Sequence, residues 1–405
     1  MTAGLWSILI QGSGSAAAVL ASLWVAWQLG LPAQGEFALL RSWTDALTVV
    51  LCLGLPQGLL HLSYREGVPV AALQGFVLRT VAVVALVIAL VVALAAVLFT
   101  GADRAVPAAA TTVGRESLLL VALALPFWVA HLLWRSLTLR SRGVLPYALL
   151  TALPAWLVLA GVGLLVAAGS GQGFAWVLLG AGSCAALVAA AVVRADRRQP
   201  APWPRRTMWS VSLQTWGQGL AAAWMPALLL SLAALGGAGL GEVGALSLGL
   251  HVYQLFAVAA AYAAPQVYDQ AARGSAPPPG QVLAAWGRRV GWWLPLLATA
   301  VALALPWMAS AWWPALRGHE PGLAALALAG LLAVLARLWA TLLQAAGRIR
   351  ELSWQALARV LLACALTLAW TPSLGALLAV PLALLATEAL TLVQMAVTER
   401  TRARR

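Results

Sequence analysis

The sequence contains no lysine: all 25 basic residues are arginine, set against only 12 acidic ones. Without lysine there is no P-loop lysine for a nucleotide phosphate and no amine for Schiff-base or kinase chemistry. Charge of either sign is scarce, at 9% of the chain, where soluble domains carry about 25%. The three cysteines, Cys52, Cys184 and Cys364, lie far apart within apolar runs and lack metal-ligand spacing, so they read as buried spectator thiols. No metal or cofactor is expected. No connector is long enough to hold a soluble catalytic domain, and no D-x-D metal motif occurs.

What fills the chain is apolar. It is 62% hydrophobic, with a mean hydropathy of +0.89, and over 405 residues this makes the bilayer its solvent. A helix needs about 20 apolar residues to cross about 30 Å of hydrocarbon. Twelve stretches qualify: residues 5–29, 35–62, 76–99, 117–139, 146–168, 174–193, 209–235, 243–267, 290–312, 322–346, 352–370 and 374–397. The expected fold class is therefore an all-α polytopic membrane protein of about twelve transmembrane helices. Residues 1–4 lack a basic n-region and a cleavage pattern, so the first stretch reads as a retained span.

The basic balance does not point to nucleic acid, because the arginines sit in short runs between apolar stretches. With the N-terminus inside, eighteen arginines fall on the inner side, seventeen in connectors and the tail and Arg79 at the inner end of its span, and three in outer connectors. The positive-inside rule then puts both termini in the cytoplasm. Trp203, Trp209, Trp312, Trp313 and Trp354 stand near span ends and read as interfacial anchors.

The run RADRRQPAPWPRR at residues 194–206 divides the chain nearly in half. It predicts two six-helix lobes, residues 1–193 and 209–397, a cytoplasmic linker at 194–208 and a basic tail at 398–405. The halves resemble each other. Trp6-Ser7, Gln11 and Gly14 match Trp209-Ser210, Gln214 and Gly217 at an offset of 203; Leu29-Gly30 and Gly35-Glu36 match Leu235-Gly236 and Gly241-Glu242 at 206; Leu133-Trp134 matches Leu338-Trp339 at 205. Six spans separate each pair, so this is a parallel repeat with a pseudo-two-fold along the membrane normal, and a cleft between lobes is the expected substrate site.

The Leu29-Gly30 turn, the segment Gln34-Gly35-Glu36-Phe37-Ala38-Leu39-Leu40, the Leu53-Gly54-Leu55-Pro56 stretch and Leu343-Gln344-Ala345-Ala346-Gly347-Arg348 together resemble a known family. It is the polysaccharide-transport branch, the lipid-linked-oligosaccharide flippases, of the multidrug/oligosaccharidyl-lipid/polysaccharide (MOP) exporter superfamily. Three features depart from its pattern: members commonly have fourteen spans, the tyrosine of its "yG" motif is Gln34 here, and lysine is missing altogether. The resemblance implies a non-enzymatic flippase of polyprenyl-pyrophosphate-linked glycan, working by alternating access in a bacterial cytoplasmic (inner) membrane. Its partners would be the lipid-linked glycan, the bilayer and other polysaccharide-assembly proteins.

Ionisable groups at bilayer depth are functional candidates. Arg41 lies about 10 Å into span two, with Asp45 one turn on. They form either a self-satisfied ion pair, or a cavity arginine for the anionic substrate with Asp45 orienting it. Guanidinium suits pyrophosphate because its planar fork donates two parallel bonds. The repeat carries Asp45 onto His251, which is either a titratable partner in the cleft or a donor to a backbone carbonyl. His131 and Arg135 are one turn apart in span four, with Arg135 near enough to the inner end to snorkel or to face the cavity. Arg359 and Glu388, on consecutive spans at similar depth, read as a structural ion pair. That leaves Arg337 without an acidic partner, as the second lobe's candidate for the substrate. Buried arginines outnumber buried acids, which favours an anionic substrate over the rival reading, a multidrug or cation antiporter. A membrane glycan polymerase or transferase is the third alternative.

Overall fold

The computed structural model describes residues 2–64, 66–99, 114–170, 173–193, 205–273, 293–345 and 348–403; side chains at 3–5, 64, 95–99, 257–273, 293–298, 344–345, 349 and 399–403 are outside the description. The linker residues 194–204, the connector 100–113 and Ala346-Gly347 of the resemblance motif therefore lie outside the described residues. Among these there is no strand. The helices are α1 (Thr2–Gln28), α2 (Leu31–Cys52), α3 (Leu55–Tyr64), α4 (Val70–Phe99), α5 (Arg115–Arg142), α6 (Val144–Ala167) and α7 (Phe174–Val192). They continue with α8 (Arg205–Leu235), α9 (Leu240–Arg273), α10 (Trp293–Trp312), α11 (Glu320–Ala345), α12 (Ile349–Leu374) and α13 (Ala376–Ala403).

Each apolar stretch coincides with one helix, except the second, which is broken. Among the described residues nine helices are long and apolar enough to span a bilayer by themselves, and the bent pair α2–α3 makes ten. The remaining two stretches correspond to α9 and α10, part of whose side chains lie outside the described residues. The outward faces confirm the solvent. On α4, Val77, Val84 and Ile88 are buried while Leu78, Leu86, Leu90 and Leu94 are exposed. Water would reject that surface, and lipid accepts it.

One boundary and one thiol differ from the sequence reading. α12 runs through Pro372 to Leu374 and turns at Gly375, whose N–H bonds Thr371 O at 2.9 Å. Gly375 takes the positive φ of 72° that ends the helix, a conformation free of cost only to glycine. Cys184 is exposed on α7, so only Cys52 is a buried thiol and Cys364 is half-buried.

Contact clustering divides the chain into Met1–Ala227 and Leu228–Arg405. In the first unit, α1 meets α6 through small residues: a Cβ on Gly14 would lie 2.8 Å from both Ala152 Cα and Cβ. The stripe Gly14, Ala18, Ser22, Ala26 thus serves close backbone approach, as such stripes do in membranes. The α5–α7 contact is equally tight, with the Trp128 indole N–H donating to Leu178 O at 3.1 Å over Gly182. In the second unit, α9 and α11 pack through Gly249 against Leu323 and Leu326, and through Gly330 against Tyr253 and Phe256. Gly322 brings α11 onto the Leu377 carbonyl of α13.

The repeat has a local counterpart. Gln11 donates to Ser7 Oγ at 3.0 Å in α1, and Gln214 donates to Ser210 Oγ at 3.3 Å in α8.

Candidate functional site

Two groups of ionisable side chains lie within the helices, one in each unit. In the first unit, α2 carries Arg41 half-buried and Asp45 exposed. They form no ion pair, although they stand one turn apart. Nη1 of Arg41 is buried with no hydrogen-bond partner. The two charges nevertheless act on each other through space, so the arrangement lies between the two open from the sequence.

On α5, His131 is buried and its Nδ1 lies 3.4 Å from the Ala185 carbonyl of α7, while Nε2 has no partner. Arg135, one turn on, does not extend freely along the lipid boundary. Its guanidinium carbon stands 5.5 Å from the ring centroid of Tyr147 on α6, a cation–π contact, and its Nε is buried without a partner. The sequence reading missed Tyr147. Aromatic residues near a span end read as interfacial anchors, and nothing in the spacing tells that a ring lies under a guanidinium on the preceding helix.

In the second unit, Arg359 Nη1 lies 3.5 Å from Glu388 Oε2, with α12 and α13 brought together by their short turn. The Glu388 side chain is fully buried and that of Arg359 is 14% exposed. A third member was not foreseen: Tyr253 of α9 donates its hydroxyl to Glu388 Oε1 at 2.6 Å. Tyr253 is 5% exposed. A tyrosine in mid-span needs a polar partner for its hydroxyl, and that requirement was the available signal. The cluster ties three helices, α9, α12 and α13, to one carboxylate. Glu388 Oε2 accepts no hydrogen bond and Arg359 Nε donates none, so the ion pair is the only tie between these two side chains.

Arg337 of α11 is half-buried and has no ion pair, and its charge reaches Tyr253 through space. His251 sits on α9 with Nδ1 2.7 Å from the Ser247 carbonyl one turn back, the backbone arrangement among the two open from the sequence. Among the described residues no group of three or more His, Cys, Asp or Glu side chains is placed to hold a metal ion.

No family model matches the chain, and no curated relative matches it. Solved structures do. An inward-facing multidrug resistance MATE family transporter of the MOP superfamily aligns with a TM-score of 0.74 at 12% identity, over 98% of this chain and 99% of that one. An outward-facing structure of a transporter so described gives a TM-score of 0.66 at 15% identity, over 99% and 95%. A Pyrococcus furiosus MOP superfamily transporter, described as having a binding pocket of reverse polarity that suggests a different function, gives 0.57 at 13%, over 99% and 95%. At such identities the likeness speaks for architecture: this chain has the fold of the MATE transporters of the MOP superfamily, twelve transmembrane helices in two lobes.

Proposed function

We propose that the chain is a flippase that moves a polyprenyl-pyrophosphate-linked oligosaccharide across the cytoplasmic membrane by alternating access. The observation that carries this reading is Arg41: its Nη1 is buried with no hydrogen-bond partner, and Asp45 one turn on makes no close ion pair with it. A buried donor without an acceptor is costly, and a phosphate oxygen is the acceptor that guanidinium geometry fits best. Glu388 meets the charge of Arg359, so of the sequence's candidate residues Arg41, Arg135 and Arg337 remain as cations, with Asp45 as the acid. An anionic head group suits that balance. Transporters with inward- and outward-facing conformations share the fold, which supports alternating access, and a neighbour described as having a pocket of reverse polarity supports a substrate other than a drug. In this reading residues 1–193 and 209–397 are the two lobes, 194–208 is the cytoplasmic linker, both termini are cytoplasmic, and Arg41 and Arg337 are the residues that bind the diphosphate.

The test is flipping of a fluorescent lipid-linked oligosaccharide in liposomes. The wild type flips, and Arg41→Ala and Arg337→Ala do not while still inserting. Wild-type rates in both variants overturn the reading.

One observation favours a second reading, a multidrug or cation antiporter. Asp45 is exposed and unpaired, which suits a cationic ligand. There Asp45→Asn abolishes export of cationic dyes and Arg41→Ala does not.

A further inference from the structure

The second span is bent by 50° between α2 and α3. The bend is built on an unfavourable conformation, since Leu53 has φ 47°, in the left-handed region that a leucine rarely adopts. Gly54 follows at φ 71°, and Pro56 fits the first turn of α3, where its missing N–H is no loss.

At the break the helical hydrogen bonds change partners. The Leu53 N–H bonds Val50 O at 3.1 Å instead of Val49 O. The Val49 carbonyl is left without its intrahelical donor, at a depth where water cannot replace it. α8 supplies one: the Trp216 indole N–H donates to Val49 O at 3.2 Å. Two turns on, Trp224 Nε1 donates to Ala46 O at 3.2 Å and packs edge-on against Trp43, with ring centroids 6.1 Å apart. Beyond the bend, a Cβ on Gly54 would lie 2.1 Å from Ser212 O, and one on Gly58 2.2 Å from Ser212 Oγ. α8 thus runs antiparallel past the bend, from Met208 beside Gly58 to Trp224 beside Ala46.

We infer that Leu53-Gly54 is a hinge and that α8 is the clamp that holds it bent, with the Trp216 indole standing in for the Leu53 amide. The exchange is balanced. In the straight span the Leu53 N–H returns to Val49 O, the left-handed leucine relaxes, and Trp216 is released. The Val49 carbonyl keeps a donor in either state, while the Cys52 carbonyl has no helical donor in either because Pro56 lacks an N–H; two discrete arrangements of one bond are what a switching element needs. The clamp's two indoles and two glycines have no role in binding the substrate, so the inference stands apart from the glycan reading.

The test is a distance measurement on the full chain in nanodiscs, freed of its native cysteines and spin-labelled at Glu66→Cys, just past α3, and Leu123→Cys on α5. Straightening a 50° bend over the ten residues of α3 moves its far end by about 12 Å. Trp216→Phe, which keeps a ring and loses the donor, should add a second, displaced distance population. Adding Leu53→Gly to it should restore the bent one. Identical distributions in the wild type and both variants overturn the hinge. Independently, Gly58→Cys with Ser212→Cys can be closed by oxidation. The closed form should flip lipid-linked glycan about tenfold more slowly than the reduced one, as expected when a gating motion is blocked. Equal rates in the two forms overturn the hinge; absence of flipping in both counts against the glycan reading, and the distance measurement then decides the hinge alone.

Discussion

Tyr253 and Glu388, 135 residues apart in sequence, share a 2.6 Å hydrogen bond in the middle of the second unit, and the same carboxylate faces Arg359 through its other oxygen. Removing Glu388 leaves a buried guanidinium and a buried hydroxyl unpaired at once. Glu388→Ala should lower the thermal midpoint in detergent by the equivalent of about 3–5 kcal/mol, the range for breaking one side of a buried pair. Glu388→Ala with Arg359→Ala should recover much of that loss, because no uncompensated charge remains. If instead Glu388→Gln is stable but transports nothing, and Arg359→Ala does not restore it, the carboxylate serves transport.

Tyr253→Phe isolates the other half of the cluster. It removes one hydrogen bond to a charged acceptor and keeps the ring. The expected loss is about 1.5–3 kcal/mol in stability. An unchanged midpoint would show that the Arg359–Glu388 pair alone holds the three helices.

The helices were legible from hydropathy because lipid imposes long uniform apolar runs, and the likeness of Gln11 and Gln214 was legible because each follows a Trp-Ser pair at the same spacing. The break at Leu53 was not. Leu-Gly-Leu-Pro reads equally as a kink or a continuous span, and the carbonyl that decides it is satisfied by Trp216, a residue 163 positions beyond Leu53. The α12 boundary was misread at Pro372 because a proline close to a helix end in lipid leaves few bonds to break. Arg359–Glu388 was found from a short turn and matched depths, whereas Tyr253 enters from a helix whose placement no spacing reports.

Close packing makes Gly14 sensitive. A methyl group there meets the Ala152 backbone rather than a flexible side-chain end, so α1 and α6 must move apart. Gly14→Ala should cost about 1–3 kcal/mol, the usual range for overpacking, measured as a lower midpoint. Gly75→Ala, where a Cβ meets nothing within 4 Å, is the control and should be neutral or mildly stabilising.

For Arg41 the prediction separates charge from geometry. Arg41→Lys keeps a cation but loses the planar fork, and should leave partial flipping of pyrophosphate-linked glycan where Arg41→Ala leaves none. Equal activity in the lysine variant and the wild type would mean that a point charge suffices at this position.

The last prediction concerns the direction of the spans. α8 lies antiparallel to α2–α3, with Trp224 beside Ala46, Trp216 beside Val49 and Ser212 beside Gly54. If every span crosses once, the second and the seventh must run in opposite directions, and this register meets that condition. An odd number of extra crossings between them would have made the two helices parallel. Carrying the alternation forward puts the turn at Gly318, between α10 and α11, on the side opposite both ends of a twelve-span chain. The eighteen-to-three distribution of arginine then selects which side is the cytoplasm. A reporter fused after Arg405 should therefore read as cytoplasmic, and one inserted at the exposed Gly318 turn as extracytoplasmic. The insertion is tolerable because nothing lies within 4 Å of a Cβ built there. If both reporters read the same side, one of the crossings beyond α10 does not traverse the bilayer, and the assignment of Arg337, Arg359 and Glu388 to bilayer depth has to be revised with it.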